Sequence, residues 1–125
     1  MKISAEHFGF ENDRWQRLVQ FIQLENSYSK NRLAEVIRNN DGLADFLEQA
    51  EFYQSYYIQQ DAHLSLLKHD IASFRRLLEK EKFLDGALST QLQNTHCRLR
   101  REIEKLETDF HDMQRKFNNF VEANM

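Results

Sequence analysis

The side chains best suited to holding a metal ion lie mostly in the second half of the sequence. Two pairs have the four-residue spacing that places potential ligands one turn apart on a helix face: Glu107 with His111, and His7 with Glu11. If the chain folds as an antiparallel helical hairpin, His63 and Asp109 flank one layer near Glu107. The candidate ligands of a mononuclear or dinuclear site are therefore His63, Glu107, Asp109 and His111.

The alternative for these four residues is a solvated surface with a weak His–Asp pair, which contributes under ~1 kcal/mol. The Glu-x-x-His spacing of di-iron bundles is absent from the sequence. We therefore expect neither a metal nor a cofactor.

The single cysteine, Cys97, lies between His96 and Arg98, an arrangement that could activate a thiolate nucleophile. Covalent catalysis also requires an oxyanion pocket in a concave site, which packed helices do not readily provide. The sequence has no glycine-rich phosphate-binding loop, because its three glycines are isolated. We expect Cys97 to be a packed thiol and the protein not to be an enzyme.

Charge divides the sequence into an acidic and a basic region. Residues 43–67 contain no Lys or Arg but four acids. The basic region is formed by arginines of two segments: Arg75, Arg76, Arg98, Arg100 and Arg101. These arginines could contact nucleic acid, but acids are interleaved with them and the net charge is -3. We expect a solvated surface of mixed charge that favours solubility. Attraction between opposite ends of two molecules is an alternative, and any nucleic-acid binding should be weak.

The elements that must position these residues follow from the composition. The 125 residues include no proline and three glycines, whereas a sheet protein of this length would need many turns, which draw on both residue types. The glycines fall where helices would be interrupted, at position 9 and within 39–42 and 85–86. The sequence predicts one domain, 1–125, with an N-terminal arm over 1–11 and helices over 12–39, 43–84 and 87–123.

The second and third helices each carry an apolar seam with alternating spacings of three and four residues, which is typical of coiled coils. A reversal near residue 85 places Tyr53 opposite Phe117 and Phe74 opposite His96. The predicted fold class is all-α, an elongated bundle of three long helices. In it, a long antiparallel, coiled-coil-like hairpin carries a shorter N-terminal helix on one half.

The first helix is less regular, because its apolar residues from Trp15 onward cover more than one face. It should lie with Leu33 near Ala50 and Ile22 near Gln60, and should be too short to reach the far end of the hairpin. That end would then expose apolar surface, which is normally covered. Two covers are possible: the N-terminal Ile3, Phe8 and Phe10 folded back over it, or a second copy of the chain. We favour the second copy, with the N-terminal arm contributing.

The expected function is therefore that of a non-enzymatic protein-interaction module, a scaffold or regulatory adaptor that acts through helix faces as a homodimer. The residues predicted to contribute are aromatic and leucine side chains: Trp15, Phe21, Tyr28, Leu77, Phe83 and Leu84. One alternative is a sensor-like bundle with a metal or small ligand near the four candidate ligands. Binding of the first helix to a membrane surface is another, which its few basic residues disfavour.

The sequence has no apolar run of the ~18 residues that a membrane-spanning helix requires. Its N-terminal segment has no apolar stretch of signal-peptide length, and one cysteine cannot form an intrachain disulfide. We therefore expect a cytoplasmic protein without membrane insertion, whose partner is a second copy of itself or another protein.

Overall fold

Three helices make up the fold. The computed structural model describes residues 5–40, 42–82 and 90–125, and its helices are α1 (Ala5–Arg38), α2 (Ala44–Lys82) and α3 (Thr90–Ala123). These residues contain no strand. The predicted all-α class is therefore confirmed, and α1 packs most closely against α2.

Helices α2 and α3 are antiparallel in the predicted register. The rings of Tyr53 and Phe117 meet edge to face with centroids 5.3 Å apart, and those of Phe74 and His96 lie 6.0 Å apart. Because the two contacts lie far apart along the helices, one register holds over the length between them.

Helix α1 begins earlier than predicted, since the expected arm over 1–11 is helical from Ala5 onward. The cause is packing at its first turns, where the Phe8 ring stacks on His96 with centroids 3.8 Å apart. Gly9 lies inside this helix, because burial of a neighbouring aromatic ring outweighs the helix cost of one glycine, about 1 kcal/mol.

The early start makes α1 as long as α3, at 34 residues each, while α1 stays shorter than α2, which has 39. Helix α1 therefore extends further along the hairpin than the predicted bounds placed it. Helix α1 lies along the part of the hairpin that was expected to be a bare two-helix stalk, beside Leu78 and Phe74. Leu77 remains 44% exposed there. Phe83, Leu84 and the predicted turn at 85–86 lie outside the described residues.

The buried residues of α1 recur at alternating spacings of four and three, which is the seam of a coiled-coil helix. They are Phe8, Asn12, Trp15, Val19, Ile22, Asn26, Ser29, Leu33 and Val36. Trp15 is 1% exposed, so it is a core residue, and the prediction that it anchors a partner is wrong. Its seam position turns the indole toward α2 and α3 instead of solvent.

Polar contacts fix the position of α1 along α2. Asp13 forms an ion pair with Arg75, and the Asn26 side-chain amide lies 3.4 Å from the Asp61 carboxylate. Both contacts place α1 about five residues further along α2 than predicted. The two helices are antiparallel, as expected.

Helices α1 and α3 are parallel, and they contact each other near their middle and near their C-terminal ends. The Phe21 and Phe110 rings lie 6.0 Å apart near the middle. Beyond the last turn of α1, the Asn40 side-chain amide donates to the Asn124 carbonyl at 2.9 Å. Gly42 then has a φ of 71°, the left-handed conformation that lets the chain reverse into α2.

Candidate functional site

Near the N-terminal ends of α1 and α3, aromatic rings surround the imidazole of His96, which also contacts the carboxylate of Glu11. His96 is 2% exposed, stacks on Phe8 and lies 5.1 Å from the Trp15 ring. Its Nε2 lies 3.2 Å from Glu11 Oε2, and the other Glu11 oxygen lies 2.6 Å from His7 Nε2. These five residues form the His96 cluster, which joins the first turns of α1 to α3.

Burial lowers the pKa of His96 below its usual value, because the interior solvates the imidazolium poorly. The Glu11 carboxylate opposes this shift, and Arg100 and His7 add to it. The folded protein therefore holds His96 in its neutral form at neutral pH. Chemically, the cluster can bind and release a proton.

We expect the free energy of unfolding to fall as the pH decreases below about 6.5, the ordinary pKa of histidine. Above that pH, His96 is neutral in both the folded and the unfolded chain. Below it, the unfolded chain takes up a proton that the folded chain resists, so protonation favours unfolding. Urea unfolding followed by circular dichroism between about pH 5 and pH 8 measures the effect.

The His96→Gln variant should lose stability overall but show a flatter pH dependence over this range. His63→Gln, which removes an exposed imidazole of α2, is the matched control and should keep the wild-type slope. An unchanged slope in His96→Gln would show that other groups cause the pH dependence.

A second polar layer lies in the middle of the α1–α2 interface. Lys30 and the buried Asn26 both contact the Asp61 carboxylate. The buried hydroxyls of Ser29 and Tyr57 lie beside each other, and neither completes a hydrogen bond with a group in the described part of the chain. Burial raises the pKa of Tyr57 to about 12, because the interior solvates the phenolate poorly. Since polar seam residues favour one register over others, this layer accounts for the position of α1.

The four candidate metal ligands are exposed on two helices: His63 on α2, and Glu107, Asp109 and His111 on α3. Asp109 lies near Tyr56, whose pKa is raised by burial and by this carboxylate. His111 instead packs its ring edge to face with Phe110, at 5.5 Å. Within 5–40, 42–82 and 90–125, no three His, Cys, Asp or Glu side chains are grouped so as to hold a metal ion.

Acids accompany most of the arginines in the basic region. Three of the five have carboxylates within 4.0 Å: Arg75 with Asp13 and Glu79, Arg98 with Asp70 and Glu102, and Arg100 with Glu104. Arg76 and Arg101 are exposed. Each such pairing reduces the positive field that a phosphate backbone would meet.

Cys97 is exposed, so the prediction of a packed thiol is wrong. It follows the buried His96 by one residue, and one helical step turns a side chain by about 100° away from the seam. Both neighbours that could activate the thiol are engaged elsewhere, since His96 contacts Glu11 and Arg98 lies 3.1 Å from Glu102.

The middle of the outer face of α1 presents three large apolar side chains to solvent. Phe21, Leu24 and Tyr28 are 49%, 72% and 57% exposed. Their spacings of three and four residues place them next to one another on the helix, and we call them the α1 patch. Phe21 and Tyr28 were predicted as interaction residues. Leu24 was not, although its spacing from both was visible in the sequence.

Another exposed aromatic residue lies in an open groove of about 730 Å³ between α2 and α3. Phe52, which is 56% exposed, forms part of the groove wall. Asp45 and Glu48 lie beside it on α2, and Lys116 lies on the opposite wall. This groove belongs to the acidic region identified in the sequence.

Comparison of the chain with protein-family models, curated proteins and solved structures gave no match. No helix in the described part of the chain is long and apolar enough to cross a membrane. Inference about function therefore starts from the surfaces and clusters described above.

Proposed function

We propose that the chain is a non-enzymatic protein-interaction module of the cytoplasm, a scaffold or regulatory adaptor that acts through helix faces as a homodimer. The observation that carries the proposal is the α1 patch. A helix that packs on one side only normally has a polar outer face, whereas here Phe21, Leu24 and Tyr28 lie together in solvent.

Burial of the α1 patch in an interface would be energetically favourable. Burying an exposed Leu or Phe side chain contributes about 1.5–3 kcal/mol, and apolar patches on monomeric proteins often mark interaction sites. Aromatic residues are also enriched at the centres of protein interfaces. Charge complementarity between the acidic and basic regions of two copies supplies a means of selecting their orientation.

Sedimentation equilibrium over a range of protein concentrations tests the homodimer. We expect the apparent mass to rise from about 15.1 kDa toward twice that value as the concentration increases. Repeating the series at high salt separates the two contributions, since apolar burial persists whereas ion pairs are screened. A monomer mass at every concentration up to about 1 mM, where even an affinity of about -4 kcal/mol would be detected, would contradict the proposal.

A further inference from the structure

We propose that the homodimer forms through α1, with the α1 helices of the two copies antiparallel and Leu24 close to the two-fold axis. The inference rests on the proposed function, because it names the face through which the homodimer forms. Its partner is a second copy of this chain, and its surface is the outer face of α1.

The first argument is the pattern of exposed residues on α1. A second set, opposite the buried seam, also alternates spacings of four and three: Phe10, Arg14, Arg17, Phe21, Leu24, Tyr28, Asn31, Glu35 and Arg38. All nine side chains are exposed. A helix with two such seams has the periodicity needed to pack on both sides. Within the described residues the inner seam is buried, whereas the outer seam stays exposed, although the Phe21 ring also meets Phe110 of α3 edge to face.

The second argument is charge, which selects the antiparallel orientation. Apart from Phe10, the apolar residues of this outer seam lie at its middle, with Arg14 and Arg17 before them and Glu35 and Arg38 after them. In a parallel pair, each arginine would lie against its own copy, which is repulsive. In an antiparallel pair, the two arginines instead face the half of the partner that carries Glu35 and Arg38, whose charges cancel.

These charges are available for such a contact. Arg14, Arg17 and Glu35 form no ion pair with another side chain in the described ranges 5–40, 42–82 and 90–125. Other exposed arginines, such as Arg75 and Arg98, do. These charges of the outer seam are therefore unpaired, and Leu24 at its apolar centre is 72% exposed.

The third argument is symmetry. A two-fold interface must be self-complementary, because a residue of one copy contacts the same surface on the other. With Leu24 near the axis, Phe21 of each copy approaches Leu24 and Tyr28 of the other. The apolar centre is thus doubled, and each patch of three residues covers the other.

The first experiment places a charge at the centre of the interface. Leu24→Asp should raise the dimer dissociation constant about tenfold or more, because the two-fold axis brings two carboxylates into one apolar layer. Far-UV circular dichroism should show unchanged helix content, since Leu24 is 72% exposed. The matched control is Leu66→Asp on α2, at a leucine that is 68% exposed, which should leave the dissociation constant unchanged.

The second experiment tests the orientation by cross-linking in a Cys97→Ser background. A short bismaleimide linker should join two copies of Leu24→Cys efficiently, because this position lies near the axis. Phe10→Cys should not cross-link, since ~1.5 Å per residue over the intervening helix puts the two cysteines on the order of 40 Å apart.

The possible results are distinct. A wild-type chain that stays monomeric overturns both the homodimer and this interface. A wild-type dimer that Leu24→Asp leaves intact overturns the interface alone and keeps the proposed function. Efficient cross-linking at both Leu24→Cys and Phe10→Cys overturns the antiparallel orientation, because a parallel pair brings every position close to its own copy.

Discussion

Replacing Trp15 with alanine should lower the free energy of unfolding by about 3–5 kcal/mol, the range for truncating a buried aromatic residue. Trp15 is 1% exposed in the inner seam of α1, and its ring lies 5.1 Å from that of His96. The substitution leaves a cavity within the His96 cluster, so it also loosens the contact of α1 with α3. This loss is large, because the free energy of unfolding of a natural protein is only about 5–15 kcal/mol.

Urea unfolding followed by circular dichroism measures this effect, because tryptophan fluorescence is lost with the side chain. If Trp15→Ala is too unstable to measure, Trp15→Phe should give a smaller loss in the same direction. Leu66→Ala, at an exposed position of α2, is the control and should change stability by less than about 0.5 kcal/mol. A Trp15→Ala variant as stable as that control would contradict the burial of the indole.

Replacing Asn12 with leucine should raise the free energy of unfolding, by about 1–3 kcal/mol. Asn12 is 1% exposed in the inner seam, and both polar atoms of its side chain lack a hydrogen-bond partner among the described groups. Leucine has the same number of side-chain heavy atoms and the same branching. It therefore fills the position while removing two groups that are costly to bury.

The control for this prediction is Asn118→Leu, which makes the same change at an exposed position of α3. That variant should change stability by less than about 0.5 kcal/mol. A fall in the free energy of unfolding of Asn12→Leu would contradict the prediction, because it would show that polar contacts of the Asn12 amide stabilise the folded chain.

The α2–α3 pair could be predicted from the sequence because its seam is mostly apolar. Periodicity identifies the buried face wherever the buried residues are apolar, and one turn position then sets all layers together. The contacts of Tyr53 with Phe117 and of Phe74 with His96 follow from that register. Even the polar His96 was placed correctly, because apolar residues of its own helix flank it at seam spacing.

Helix α1 could not be placed by the same reasoning, for two physical reasons. Its inner seam includes Asn12, Asn26 and Ser29, so a search for apolar periodicity finds gaps there. Its outer face carries Phe21 and Leu24, which make the apolar residues cover more than one side. Burial of polar residues and exposure of apolar ones both depend on the neighbouring helices, which α1 alone does not specify.

The His96 cluster as a whole could not be predicted from the sequence, although the pairing of two of its residues could. The four-residue spacing of His7 and Glu11 indicates a pair on one helix face. That Glu11 also reaches His96 depends on α1 starting before residue 12 and on its parallel alignment with α3. The glycine at position 9 argued against that early start, and the stacking of Phe8 on His96 outweighed it.

The parallel arrangement of α1 and α3 has a mechanical consequence. Residues Ala5 and Ala123 lie toward opposite ends of the bundle, separated by about the length of one helix, ~1.5 Å per residue over 34 residues. A pulling force applied between them therefore acts along the helix axes. Such a force must slide α1 past α3, which breaks the contacts of all core layers at the same time. In contrast, a hairpin pulled apart from one end loses its layers one after another.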